Sequence, residues 1–150
     1  MKRSKRLDPV ARVEKNRERT AARALGNHQQ ELNQLKQKLQ ELIDYRAEYQ
    51  QKYMQAINNS MGSTAIQEYR CFLSKLDRAI EQQYQMIAGG EQKVSMSRQQ
   101  WMQKRTRLKA IDTLVEKIQG QERCQDERRE QQESDERALF ARRLSHLKSF

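Results

Sequence analysis

The sequence predicts an all-α protein built as a long two-helix antiparallel coiled-coil hairpin, and three observations carry that expectation. Of 150 residues, 35% are hydrophobic and 33% charged, with five Gly and one Pro, which is too little apolar material for a thick globular core. The few apolar residues nevertheless recur in alternating steps of three and four, the a/d spacing that keeps one face of a helix against a partner. A single cluster of turn-forming residues, "NNSMGST" from Asn58 to Thr64, divides that pattern into two runs.

The first helix is expected over about residues 8–57. Its a/d residues run Leu32, Leu35, Leu39, Leu42, Arg46, Tyr49, Tyr53 and Ala56. Upstream the face can be followed through Val10, Val13, Arg17, Ala21, Leu25 and His28, where two extra steps of four act as a stutter that locally unwinds a supercoil. Asp8 is placed to cap this helix and Pro9 suits its first turn.

After the turn at 58–64, Thr64 and Gln67 stand in the order of a capping box, and a second helix is expected over about 65–118. Its a/d residues are Ile66, Tyr69, Leu73, Leu76, Ile80, Gln83, Ile87, Gly90, Val94, Ser97, Trp101, Lys104, Leu108, Ile111, Val115 and Ile118, with no slip of phase. Folded back on the first helix, it gives a hairpin roughly 70 to 80 Å long at 1.5 Å per residue. With the bend at Met61, residue i faces roughly residue 122 minus i. Trp101 then faces Ala21, Ala22 and Ala24, and Gly90 faces Leu32. The Gly89 and Gly90 pair weakens a helix interior, but the unbroken phase favours a continuous or slightly bent helix over a hinge. Beyond Ile118 the a/d positions turn polar and no first-helix residues remain to pair. Residues 119–150 are therefore expected as a charged extension, helical or partly disordered, ending in the weakly amphipathic "LFARRLSHLKSF".

Charge is unevenly placed within the net +10. Residues 1–25 hold nine Lys and Arg against three Asp and Glu, and residues 93–117 hold seven against two. Residues 26–92 hold seven against eight, and 118–150 seven of each. The hairpin pairing would bring the two basic segments together at one end, which should seek an acidic partner. Leu25, Leu32 and Leu39 repeat every seven residues after the basic run "KNRERTAAR", which imitates a basic leucine zipper. The imitation ends at Arg46, and the second helix supplies an intramolecular partner. Sequence-specific nucleic-acid binding is thus an alternative reading rather than the main one, and a passive coiled-coil spacer is another.

Catalysis has no visible apparatus. His28 and His146 are far apart, without a nucleophile, a metal-ligand cluster or a glycine-rich phosphate loop beside them. Cys71 and Cys124 stand alone, so neither a disulfide framework nor a zinc site is implied. No enzyme, cofactor or bound metal is expected. No apolar run reaches the length of a membrane span.

Tyr45, Tyr49 and Tyr53 in "LIDYRAEYQQKY" lie four residues apart and therefore stack on one side of a helix. In heptad terms Leu42 and Tyr49 are d residues and Tyr45 a g residue; across the pair, Leu76 and Gln83 are d, with Phe72 and Ala79 at g. Antiparallel pairing puts the two g flanks on one side, so Leu42, Tyr45, Tyr49, Phe72, Leu76 and Ala79 form an apolar strip wider than a two-helix core needs. Leu42, Tyr49 and Leu76 serve mainly as core. Tyr45 and Phe72, at positions that stay largely wet, are the expected anchors for a partner.

Together, "AARALG", "LIDYRAEY", "FLSKLDRAIEQQ" and "QKVSMSRQQWMQKRTRL", in this order and spacing, give the chain a resemblance to the flagellar FliJ family of the bacterial type III export apparatus. The resemblance covers most of the first 120 residues. It implies a cytoplasmic coiled coil, similar to the stalk subunit of rotary ATPases, stationed at the cytoplasmic face of the inner membrane at the flagellar base. It further implies that the end carrying both termini enters the hexameric export ATPase (FliI) and promotes its assembly and ATP hydrolysis. The rod surface would meet the export gate protein (FlhA), with the ATPase regulator (FliH) and export chaperones as further partners. Carried onto this sequence, the gate-binding residues are Leu42, Tyr45, Tyr49, Phe72, Leu76, Ala79 and Gln83. Arg12, Arg17, Arg19, Arg105 and Arg107 are the candidates for contact with the ATPase, a solvated charged face being the alternative for each.

Overall fold

A computed structural model describes residues 2–149. The protein is all-α: helix α1 spans Arg3–Asn58 and helix α2 spans Ser63–Lys148, with no strand among the described residues. The chain forms two compact units, one of Arg19–Gln103 and the other of Met1–Glu18 with Lys104–Phe150.

In the unit Arg19–Gln103 the chain folds back on itself as an antiparallel hairpin. The turn is built by the end of α1. The Met61 amide donates to the Ala56 carbonyl at 3.1 Å and the Ser60 amide to the Ile57 carbonyl at 3.2 Å, while Ser60 takes a φ of 54°. That pairing, with a left-handed residue between its two bonds, is a Schellman ending, which satisfies carbonyls that a helix terminus otherwise leaves open. α2 then starts at Ser63, and the Ile66 amide donates to the Gly62 carbonyl. Gly62 is therefore the N-cap. The expected Thr64–Gln67 capping box lies inside the helix instead, because the Schellman ending finishes the turn two residues sooner than its composition suggests.

Across the hairpin, Leu32 and Leu35 meet the Gly90 position, Arg46 bonds Asp77, and Tyr53 accepts from Arg70 Nε at 2.9 Å. These partners agree with a bend at Met61. The core is narrow, as composition requires: Leu32, Ile87 and Val94 are buried together with Leu25, Leu35 and Leu39 packed on them, and no side chain among the described residues is completely enclosed. Each residue expected on the α2 a/d face, from Ile66 to Ile118, is buried or half-buried. Trp101, Ala21, Ala22 and Ala24 are all half-buried. α2 runs unbroken through Gly89 and Gly90.

The start of α1 differs from expectation in two ways. First, Val10, Val13 and Arg17 are exposed, and the inward residues are Ser4, Leu7, Ala11, Glu14, Glu18, Ala21, Leu25 and His28. That set continues the downstream steps of three and four without a stutter. Choosing the most apolar residues sets the upstream face one position too early, whereas a helix already held by Leu32, Leu35 and Leu39 keeps its phase and brings Ala and Glu inward. Second, α1 begins at Arg3, so Asp8 is not its cap and Pro9 lies within it.

The unit of Met1–Glu18 with Lys104–Phe150 explains the early start. The Ser4 amide donates to Glu122 Oε1 at 3.0 Å and the Ser4 hydroxyl to Glu122 Oε2 at 2.7 Å, while Lys2 Nζ bonds Asp126 Oδ2 at 2.7 Å. A carboxylate on the free amides of a helix start is favoured by both hydrogen bonding and the helix dipole. Pairing therefore continues past Ile118, contrary to expectation, because the earlier start of α1 supplies the residues that Glu122 and Asp126 meet. From Glu127 to Ser149 every residue is exposed, and helix continues to Lys148.

Candidate docking surface

Four aromatic rings cluster on one flank of the Arg19–Gln103 hairpin. Tyr49 is central: its ring centroid lies 4.3 Å from that of Phe72, 5.1 Å from Tyr45 and 6.2 Å from Tyr69. Tyr45 meets Phe72 edge-on at 5.9 Å. Edge-on and tilted contacts at these distances are attractive beyond the area they cover. The helical spacing of Tyr45 and Tyr49 produces one half of the cluster, and that of Tyr69 and Phe72 the other.

The cluster grades from core to surface. Leu76 is buried, Leu42, Tyr49, Phe72 and Ala79 are half-buried, and Tyr45 is 43% exposed. Tyr45 thus turns a large ring outward while its other edge is fixed against Tyr49 and Phe72. The neighbouring Tyr49 hydroxyl, and then desolvation, hold the Tyr45 phenol above its ordinary pKa, so it remains a neutral donor. A rigid aromatic with a polar tip suits a protein contact because little side-chain freedom is left to lose.

The ends of the strip are fixed by polar contacts. Arg46 sits beside it and makes a two-pronged pair with Asp77, Nε to Oδ1 and Nη2 to Oδ2. Tyr53, the last ring of the ladder, is joined to Arg70 rather than to the cluster. Gln83 is only 4% exposed, and its Nε2 donates to the Leu35 carbonyl at 2.9 Å. Its amide is engaged within the hairpin, and it offers a partner almost no surface.

Two features escaped the heptad reading. Tyr69, assigned only to the core, completes the cluster, and its position three residues before Phe72 on the same helix was the available signal. Lys52 Nζ lies 5.2 Å from the Tyr49 ring centre, a cation over a ring face. On the side of the turn, Tyr49, Tyr69 and Phe72 form one wall of an open groove of about 430 Å³ shared with Met61, Ala65 and Glu68.

The basic candidates Arg12, Arg17, Arg19, Arg105 and Arg107 are all exposed. Arg17 Nη1 reaches Glu14 Oε1 at 3.3 Å. Arg12, Arg17, Arg105 and Arg107 belong to the unit of Met1–Glu18 with Lys104–Phe150, and Arg19 opens the other. Cys71 and Cys124 are free and exposed, and among the described residues no group of three or more His, Cys, Asp or Glu is placed to hold a metal. No helix among them is long and apolar enough to cross a membrane.

Paired helices with an a/d core and an outward aromatic strip define an all-α protein of the coiled-coil class. The family described as Flagellar FliJ protein matches residues 3–146. Proteins called Flagellar FliJ protein from Salmonella typhi and from Escherichia coli (strain K12) are each 31% identical over 128 residues, covering 85% of this chain and 85% of the relative. The chain belongs to the FliJ family and is a component of the flagellar export apparatus.

Proposed function

We propose that this chain is a non-catalytic, stalk-like coupling factor of flagellar export. It promotes assembly and activity of the hexameric export ATPase (FliI) and docks on the export gate protein (FlhA), at the cytoplasmic face of the inner membrane at the flagellar base. The ATPase regulator (FliH) and export chaperones are further partners. Its working body is the paired part of the two helices, which reaches Glu122 and Asp126, with the exposed residues from Glu127 onward as a charged extension.

The observation that carries the docking half is the outward Tyr45 ring, fixed against Tyr49 and Phe72 in a cluster of four aromatic rings. Removing such a ring from water on contact releases free energy, and its preset geometry limits the ordering cost. For the ATPase half, cations gathered in residues 1–25 and 93–117 support attraction to an acidic lining.

The decisive experiment measures ATP hydrolysis by the flagellar ATPase at a concentration where it is mostly monomeric, with increasing amounts of this chain. A saturable rise is expected. No rise, with the chain verified as helical, would remove the ATPase role and leave the strip as a gate or chaperone adaptor. The docking half is tested separately with Tyr45→Ala and Phe72→Ala, each expected to weaken gate binding about tenfold or more. Unchanged gate affinity in these still-folded variants would sink it.

A further inference from the structure

The last three turns of α2 present an apolar face that nothing among the described residues covers. Leu139 is 57% exposed, Phe140 64%, Leu144 44% and Leu147 73%. At 3.6 residues per turn these four side chains fall within one arc of roughly 140°. The net charge of the segment is opposite in sign to that of the residues before it. Residues 119–136 hold seven Asp and Glu against three Arg, whereas residues 137–148 hold Arg137, Arg142, Arg143 and Lys148 with no acid at all. The segment is thus a cationic amphipathic helix attached to an acidic, largely polar one.

We propose that residues 139–148 form a reversible docking segment for an anionic lipid surface. The charge pattern selects this occupant. A second copy placed antiparallel on the same face would set four cations against four, while the acidic segment of a second copy has no apolar side chain larger than Cys124 to cover the leucines. A bilayer carrying anionic headgroups supplies both requirements at once: an acyl boundary for Leu139, Phe140, Leu144 and Leu147, and negative charge for the arginines and Lys148. Arg142 and Lys148 flank the apolar arc on opposite sides. Arg143 falls within the arc, where its aliphatic stem can lie on the apolar surface while the guanidinium reaches up to the headgroups. The acidic run before Arg137 is repelled by the same surface, which confines contact to the last three turns. The segment is far too short and too charged to span. This inference stands independently of the aromatic strip and of the ATPase reading.

The test is co-sedimentation of the full chain with vesicles of phosphatidylcholine alone and with vesicles of phosphatidylcholine and phosphatidylglycerol in equal parts. Binding to the mixed vesicles and not to the neutral ones is expected. Because basic residues elsewhere in the chain could adhere to any anionic surface, the deciding variant is the triple change Leu139→Ala, Phe140→Ala, Leu147→Ala, which keeps every charge. All three side chains are exposed, so the fold is not at risk. The triple variant should lose about tenfold or more in vesicle affinity, and Arg142→Glu with Arg143→Glu should lose at least as much. Equal binding by the triple variant would show adhesion by net charge and overturn the proposal, as would failure of the unaltered chain to bind the mixed vesicles.

Discussion

Ser60 is the one non-glycine residue with positive φ among those described, at 54°. A side chain there crowds the following carbonyl, at a cost of roughly 1 kcal/mol that glycine does not incur. Ser60→Gly should therefore stabilise the chain by up to about 1 kcal/mol, read as a higher midpoint in urea unfolding. Glu122 makes a second prediction. The Ser4 hydroxyl first, and then the Ser4 amide, hold its carboxyl below the ordinary value, and the bond to Lys2 does the same for Asp126. A carboxylate with a depressed folded pKa adds stability that is present above its unfolded value and lost as pH falls through the folded one. The start of α1 should consequently loosen as pH drops below about 4, seen as a falling protection factor, relative to intrinsic exchange at the same pH, for the Ser4 amide while amides near Leu32 stay protected. Ser4→Ala should return the Glu122 carboxyl toward its ordinary pKa in a carbon-detected NMR titration. None of this was legible in the sequence, because Ser4 and Glu122 are unremarkable polar residues until two helices bring them together.

Helix phase and helix interruption are decided by what lies opposite. Gly89 faces open space, whereas a Cβ on Gly90 would lie 3.3 Å from the terminal methyls of both Leu32 and Leu35. Gly89→Ala should thus stabilise by about 1 kcal/mol through helix propensity alone. Gly90→Ala gains the same propensity but crowds two core leucines, so its midpoint shift in urea should be clearly smaller or reversed. Equal shifts would contradict the close packing at Gly90. The a/d face of α2 was readable throughout, since its steps of three and four never slip between Ile66 and Ile118. That of early α1 was not, because Val10 and Val13 are apolar but face water, while Glu14 is turned inward. The same distinction applies to the strip: heptad position identified Tyr45 and Phe72, but only packing showed Tyr69 joining them and Gln83 turned to the Leu35 carbonyl.

Charge acts over the longest range. The unit of Met1–Glu18 with Lys104–Phe150 carries nineteen Lys and Arg against twelve Asp and Glu, and the Arg19–Gln103 unit eleven against eight. Excess charge of +7 against +3 makes the first unit the natural seat of contact with an acidic partner. Attraction of this kind is screened within about 10 Å at 0.1 M salt. Stimulation of the ATPase should therefore weaken as salt rises, while gate binding through the aromatic strip should change little. Arg17→Glu with Arg105→Glu should shift half-maximal stimulation to several-fold higher concentration without altering helix content measured by circular dichroism. An unchanged curve would place the contact elsewhere on the chain.

By itself the sequence determined the two helices, the turn between them, the narrow core and the outward aromatic strip, because each follows from local periodicity or from composition. It also determined the family, since the order and spacing of the motifs along one chain suffice for that. Only the tertiary structure decided where α1 begins, which of its first residues face inward, why Gly90 is a glycine, and which members of the strip remain open to a partner. These depend on pairs far apart in sequence, Ser4 with Glu122 and Leu35 with Gln83 among them, whose energies come into existence only when one helix is laid against another.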